Sequence, residues 1–154
     1  MGFSDKMRES LGAEGARVQV ETSEDSMSPG SRAEAKVTIH GGTAPARIDL
    51  LRVRLIEARR HWTERDGSRV EEADAARLED RGHLMPAWTQ ATVFEQSVEV
   101  GSEVGPGDTT VVDIALDLPE NLAKSSPAYV VTLNAQADIK GQIDPTGNAS
   151  LTIG

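Results

Sequence analysis

The chain has no cysteine, which excludes a disulfide framework, a thiolate nucleophile and any Cys-ligated zinc or iron–sulfur site. Long apolar runs are missing as well. No stretch approaches the ~20 apolar residues of a membrane span, and the opening MGFSDKMRESLG holds no signal-peptide core. A cytoplasmic protein without a membrane span is therefore expected. Met1-Gly2 would suit myristoylation, but Lys6 stands where that motif needs Ser or Thr. Basic charge is in deficit: 16 Lys and Arg face 25 Asp and Glu, a net charge of −9. A phosphate backbone or an anionic leaflet would be repelled, so nucleic acid is not an expected partner. Five aromatic residues stand against 31 Val, Ile and Thr, a balance that favours pleated, half-buried strands over helices.

What remains is a chain of 154 residues, the size of one compact domain. Its hydrophobic fraction, 38%, is modest, but the apolar residues fall in short periodic runs that a disordered chain would lack. One all-β domain, 1–154, is expected. Phe3, Met7 and Leu11 are spaced four apart and predict a short amphipathic helix over 1–13, with Ser4 or Asp5 to cap it and Gly12 or Gly15 to end it.

The period then changes from four to two. Val18 and Val20 face inward in a strand over 16–22, and Ser28-Pro29-Gly30 makes a turn. Ala33, Ala35, Val37 and Ile39 form the inner face of a second strand over 31–40. A third, 46–62, sets Leu51, Val53 and Leu55 on one face and mixes Ile48, Leu50 and Ile56 with Arg52 and Arg54 on the other. Asp66-Gly67 predicts a hairpin returning through 68–72. Residues 71–90 read as a loop or helical insertion, acid-rich over 71–82 and containing Trp88. Later strands cover 91–100, about 109–118, about 129–140 and a last one holding Leu151 and Ile153, with Gly101 to Gly107 as a loop. Seven or eight antiparallel strands of this kind predict a β-sandwich.

Catalytic signals are weak. His40, His61 and His83 are far apart and match no zinc-site spacing. No serine sits in a Gly-x-Ser-x-Gly elbow. The glycines at 101, 105 and 107 precede no helix that could hold a phosphate. No cofactor is expected. Asp138, Asp144 and Asn148 offer oxygen ligands for calcium, although Asp144-Pro145-Thr146-Gly147-Asn148 also reads as an ordinary turn. A small-ligand or calcium-binding β-sandwich module is the alternative reading.

Charge distribution says more. Between 47 and 69 lie seven arginines and four acids, a local charge of +3 that leaves −12 for the remainder. Arg52, Arg54, Arg59 and Arg60 could dock an acidic protein partner, or they could pair with acids such as Glu71, Glu72 and Glu95. Phe3, Met7 and Leu11 could form a docking helix or pack on the chain's own sandwich.

The order of elements resembles the bacterial and archaeal sporulation-control protein family: a Phe-containing N-terminal helix, a Gly-rich hinge, a Ser-Pro-Gly turn, a strand ending in Gly41-Gly42 and Ile48-Asp49 opening a long strand. Leu116-Asp117-Leu118-Pro119, Leu133, Ala137-Asp138-Ile139-Lys140 and Asp144-Pro145-Thr146 carry the closing part of the match. The resemblance corresponds to the N-terminal lobe of a typical member. It implies an arrestin-like, immunoglobulin-like sandwich acting as a non-enzymatic regulatory or scaffold protein through protein–protein contacts, with no catalytic residues. A lone lobe of this kind would expose its lobe-facing surface or cover it by forming a homodimer.

Overall fold

Alternating apolar and polar residues put one face of each strand in oil and the other in water, so pairing and stacking follow from the same pattern. The computed structural model describes residues 15–154. The expected helix at 1–13, with Phe3, Met7 and Leu11, lies outside the described residues. Within them the elements are β1 (Arg17–Thr22), β2 (Ser26–Met27), β3 (Arg32–His40), β4 (Ala46–Thr63), β5 (Arg69–Glu71), α1 (Glu72–Ala76), β6 (Met85–Val104), β7 (Thr109–Asp117), β8 (Tyr129–Ile139) and β9 (Thr146–Ile153).

Two sheets face each other. The smaller runs β1-β3-β7 and the larger β2-β9-β8-β4, continuing from β4 to β5 and β6. Every pair is antiparallel except β2 with β9, a short parallel contact that the sequence reading did not foresee. The inner face of β3 is Ala33, Ala35, Val37 and Ile39, all buried. Opposite it stand Leu51, Val53 and Leu55 of β4 and Val131, Leu133, Ala135, Ala137 and Ile139 of β8, also buried. Gly147 of β9 allows the two layers to close: a Cβ there would lie 2.5 Å from the Val18 carbonyl oxygen.

Strand β4 sets the frame. One edge pairs with β6 along its whole length, and the other pairs with β8 from Ile48 to Arg59 and with β5 from His61 to Thr63. The Arg60 amide bridges the gap by donating to the Ala128 carbonyl at 2.9 Å. A bulge at Asp49, opposite Val100 and Gly101, interrupts the ladder, and Gly101 takes a left-handed φ of 59°. This bulge corrects the expected placement of Ile48. Against β8, Asp49 is an extra residue of β4 without a partner, which shifts the phase by one, so Ile48 is fully buried on the same face as Leu51.

Two further corrections concern β6. The strand starts at Met85, so 85–90 are strand rather than part of an insertion, and it continues through Gly101 to Val104 rather than ending in a loop. Pro86 is tolerated because β6 is an edge strand. The Asp66-Gly67 hairpin forms as expected, and the acid-rich stretch after it yields the five-residue α1 followed by turns.

The division of faces sets an expected pattern of mutant stabilities. Leu55→Ala, deep in the core, should cost about 2–5 kcal/mol in urea denaturation, whereas Val111→Ala on the outer face of β7, 54% exposed, should stay within about 0.5 kcal/mol.

Candidate functional site

The main core ends at Leu55 of β4 and at Val93 and Phe94 of β6. Beyond it the two strands continue as a ribbon over 56–63 and 85–92, with a second register shift next to Leu55. Along β4, alternation places Arg52, Arg54 and Arg60 on the outer face and Arg59 on the inner one.

Arg59 and Arg60 are each tied into a local cluster. On the inner face the Tyr129 hydroxyl donates to Glu57 Oε2 at 2.7 Å. Arg59 Nε lies 3.4 Å from Glu57 Oε1, and the Arg59 guanidinium sits 4.6 Å from the Tyr129 ring centre. Burial, reinforced by the Glu57 carboxylate, pushes the Tyr129 hydroxyl above its ordinary pKa. On the outer face Arg60 grips Glu72 at both carboxylate oxygens, Nε at 3.1 Å and Nη2 at 2.6 Å, while the Trp62 indole donates to Glu72 Oε2 at 2.7 Å. The guanidinium lies 5.0 Å from the Trp62 ring. Arg60 holds the Glu72 carboxyl below the usual range, helped by Trp62 and opposed by partial burial. Since Glu72 opens α1, this clasp fastens the helix to the ribbon.

Arg52 and Arg54 are different. Arg54 lies 3.8 Å from Glu95, a loose ion pair of little energetic weight. Arg52 is exposed beside Ser97 and Gln136 and has no ion-pair partner among the described residues. Around them the outer face is amide-rich. Asn134, next to Arg54 in register, donates to Asn148 Oδ1 at 2.8 Å, and its own buried Oδ1 has no hydrogen-bond partner.

The three residues of the calcium reading are already engaged or dispersed. Asp144 Oδ1 accepts the Ile139 amide at 3.1 Å and so caps the β8–β9 turn. Asn148 belongs to the amide pair, and Asp138 is half-buried on β8. Among the described residues no group of three His, Cys, Asp or Glu side chains could hold a metal ion. A cleft of about 860 Å³ lies at the strand ends between Val18, Pro45, Lys140 and Ile143. It joins no nucleophile to a base. No helix among the described residues is long and apolar enough to cross a membrane.

Sequence reasoning missed the clusters around Tyr129 and Trp62, and it missed three exposed apolar side chains in and before the first half of β6. Leu78, Met85 and Trp88 are 41%, 67% and 45% exposed there. The available signal was the run from Leu84 to Phe94, which contains no charged residue.

Comparison with known proteins adds a lineage to this geometry. The family model described as Spo0M (SpoOM protein) matches residues 4–154. Among solved structures, the sporulation control protein Spo0M from Bacillus subtilis superposes with a TM-score of 0.70 at 18% identity, covering 90% of this chain and 49% of that one. This chain therefore spans about half the length of that structure. A CARDB domain from Pyrococcus furiosus, solved in complex with di-metal ions, gives a TM-score of 0.46 at 11% identity, covering 93% of this chain and 90% of that one. No curated protein matches.

The clasp has a pH signature. A carboxyl whose pKa is lowered on folding contributes stability above its unfolded pKa, and that contribution is lost as pH falls through the folded value. In a Trp88→Phe background, Trp62 fluorescence should therefore change only below the ordinary carboxylate range. Glu72→Gln should abolish this acid transition, and its persistence in that variant would assign it to another group.

Proposed function

The chain belongs to the SpoOM protein family, and from that premise we propose that it is a non-enzymatic regulator that works in the cytoplasm by docking other proteins on the outer face of its larger sheet. A regulatory role is what the family supports. The Bacillus subtilis relative is described as a sporulation control protein, and a share in such control is proposed here for this chain.

The observation that carries the docking surface is the unequal use of the arginines. Arg59 and Arg60 are held by Glu57 and Glu72, so recruiting them would mean breaking hydrogen-bonded pairs. Arg52 has no such tie among the described residues, and Arg54 has only the 3.8 Å contact with Glu95. They stand two residues apart on one face of β4, amid Ser97, Gln136 and Asn134. A guanidinium pair amid amides and a hydroxyl, with only the long Glu95 contact at Arg54 to displace, suits a carboxylate-bearing segment, because Arg presents a planar fork to such groups. The acidic remainder of the chain would keep such a segment off its other surfaces.

An Arg52→Glu/Arg54→Glu variant tests this reading. Both proteins would be expressed in the source cell, and co-purified proteins compared by quantitative mass spectrometry. The variant should melt like the wild type yet lose at least ~10-fold of specific partners. An unchanged partner set around a folded variant would remove the outer face as the docking surface.

A further inference from the structure

Buried polar atoms in folded proteins almost always have a hydrogen-bond partner, and an orphan among them is costly. Among the described residues one side-chain atom is such an orphan, Oδ1 of Asn134, in a residue only 9% exposed. It belongs to the arginine face. Antiparallel register sets Glu95 of β6, Arg54 of β4, Asn134 of β8 and Asn148 of β9 in one row across the larger sheet, with Ser97, Arg52, Gln136 and Thr146 in the next row on the same face. The Asn134 amide donates to Asn148 on the β9 side, which turns its carbonyl oxygen away from β9. The neighbour on the other side is Arg54. Among the described residues neither Arg52 nor Arg54 makes a hydrogen bond, and Arg54 has only the 3.8 Å contact with Glu95. One row therefore holds an acceptor without a donor beside a guanidinium whose donors are all unspent.

We propose that Arg54 has two positions, beside Glu95 when the face is empty and hydrogen-bonded to Asn134 Oδ1 when the face holds a carboxylate, with Asn134 as the positioning residue. This rests on the reading of the arginine face as the docking surface and adds how that surface is switched. Cross-strand side chains on one face start about 5 Å apart at Cβ, so a turn about the Arg54 side-chain torsions spans the distance without backbone movement. Leaving Glu95 gives up a long, partly exposed ion pair, and such pairs weigh little. In exchange a charge-assisted hydrogen bond satisfies a buried acceptor. On the empty face the charge of Glu95 holds the guanidinium on its own side. An incoming carboxylate removes that bias, because it supplies the opposite charge itself and is repelled by Glu95. It therefore binds the turned state better, as a ligand must in order to shift an equilibrium. In that state Arg52 and Arg54 stand beside Gln136 and Asn134, their register partners on β8, and their remaining N–H groups serve the carboxylate. Glu95 is thus an internal competitor, and the ligand class is an acidic peptide whose carboxylate replaces it.

The probe is an acetylated and amidated Gly-Glu-Gly-Glu-Gly peptide, titrated into the isotope-labelled chain and read by the arginine Nε–H signals in nuclear magnetic resonance. Binding should move the Arg54 signal, and Asn134→Leu, folded by circular dichroism, should weaken binding at least ~5-fold. Glu95→Gln should tighten it, and in that variant without peptide the Arg54 signal should already lie near its peptide-bound position in the wild type. A merely structural Asn134 would leave that signal where it is. Because Glu95 is a surface residue, its variant keeps the test open even if Asn134→Leu fails to fold. Equal affinity of the wild type and a folded Asn134→Leu overturns the switch, and so does an Arg54 signal that Glu95→Gln leaves in place. In either case, loss of peptide binding in Arg52→Glu/Arg54→Glu would leave the docking reading standing without it. A wild type that ignores the peptide overturns the switch as well, while the docking reading is judged by its own co-purification.

Discussion

The structure depends on one strand whose two edges are both paired. Strand β4 has 18 residues and spans ~60 Å at strand rise, whereas β3 and β7 of the facing sheet have nine residues each. A layer half that length cannot cover it. The buried core therefore stops at Leu55, and the remaining half of β4 needs another source of order. It has β6 on one side, the end of β8 as far as Arg59 and then the short β5 on the other, and two polar clusters built on its own side chains. Hydrogen-bonded pairing alone makes a marginal ribbon. Anchoring Tyr129 to Glu57 and α1 to Arg60 ties that ribbon back to β8 on one face and to the helix on the other.

The four neighbouring arginines show how position decides the role of one residue type. Arg59 and Arg60 each lie within reach of an aromatic ring and a carboxylate, one of the two supplied by another segment: Tyr129 of β8 for Arg59 and Glu72 of α1 for Arg60. Desolvation strengthens such hydrogen bonds and also raises the cost of unmaking them. Arg52 and Arg54 lie over the thick part of the sandwich, where the outer face carries amides and hydroxyls rather than rings. Arg52 is exposed there, and Arg54 is half-buried with only the long contact to Glu95. The basic run thus divides into two structural arginines at the ribbon and two at the surface, a division that net charge over 47–69 could not reveal.

Most strands were legible because each has one wet face, so alternation was visible in β3, β7 and β8 without further help. The failures occurred where alternation breaks. Asp49 bulges and moves Ile48 across the sheet, an event with no composition of its own. Residues 85–90 are exposed on both faces, so they carry no apolar period, and Pro86 suggested a boundary. Strand β2 has two residues, too few to show a pattern. At the candidate site, Glu72 and Glu95 were among the acids considered for the arginines, and Arg60–Glu72 and Arg54–Glu95 are pairs in the structure. The roles of Tyr129 and Glu57 were not legible, since 72 residues separate them.

Charge placement ties these levels together. Acids at every fourth position line the second half of β6, and aspartates punctuate β7, so those edges meet water on terms that favour staying unpaired. Strand β4 concentrates arginine where both its edges are already used, so the cations project only from its faces. The stretch from Met85 to Phe94 follows neither rule. It combines an open edge, β-forming residues and exposed Trp88 and Met85, features that a merely solvated edge has no reason to collect. A charge there would cost little in the isolated chain, because the backbone at that edge already faces solvent. Folding of the isolated chain therefore supplies no reason for the missing charge.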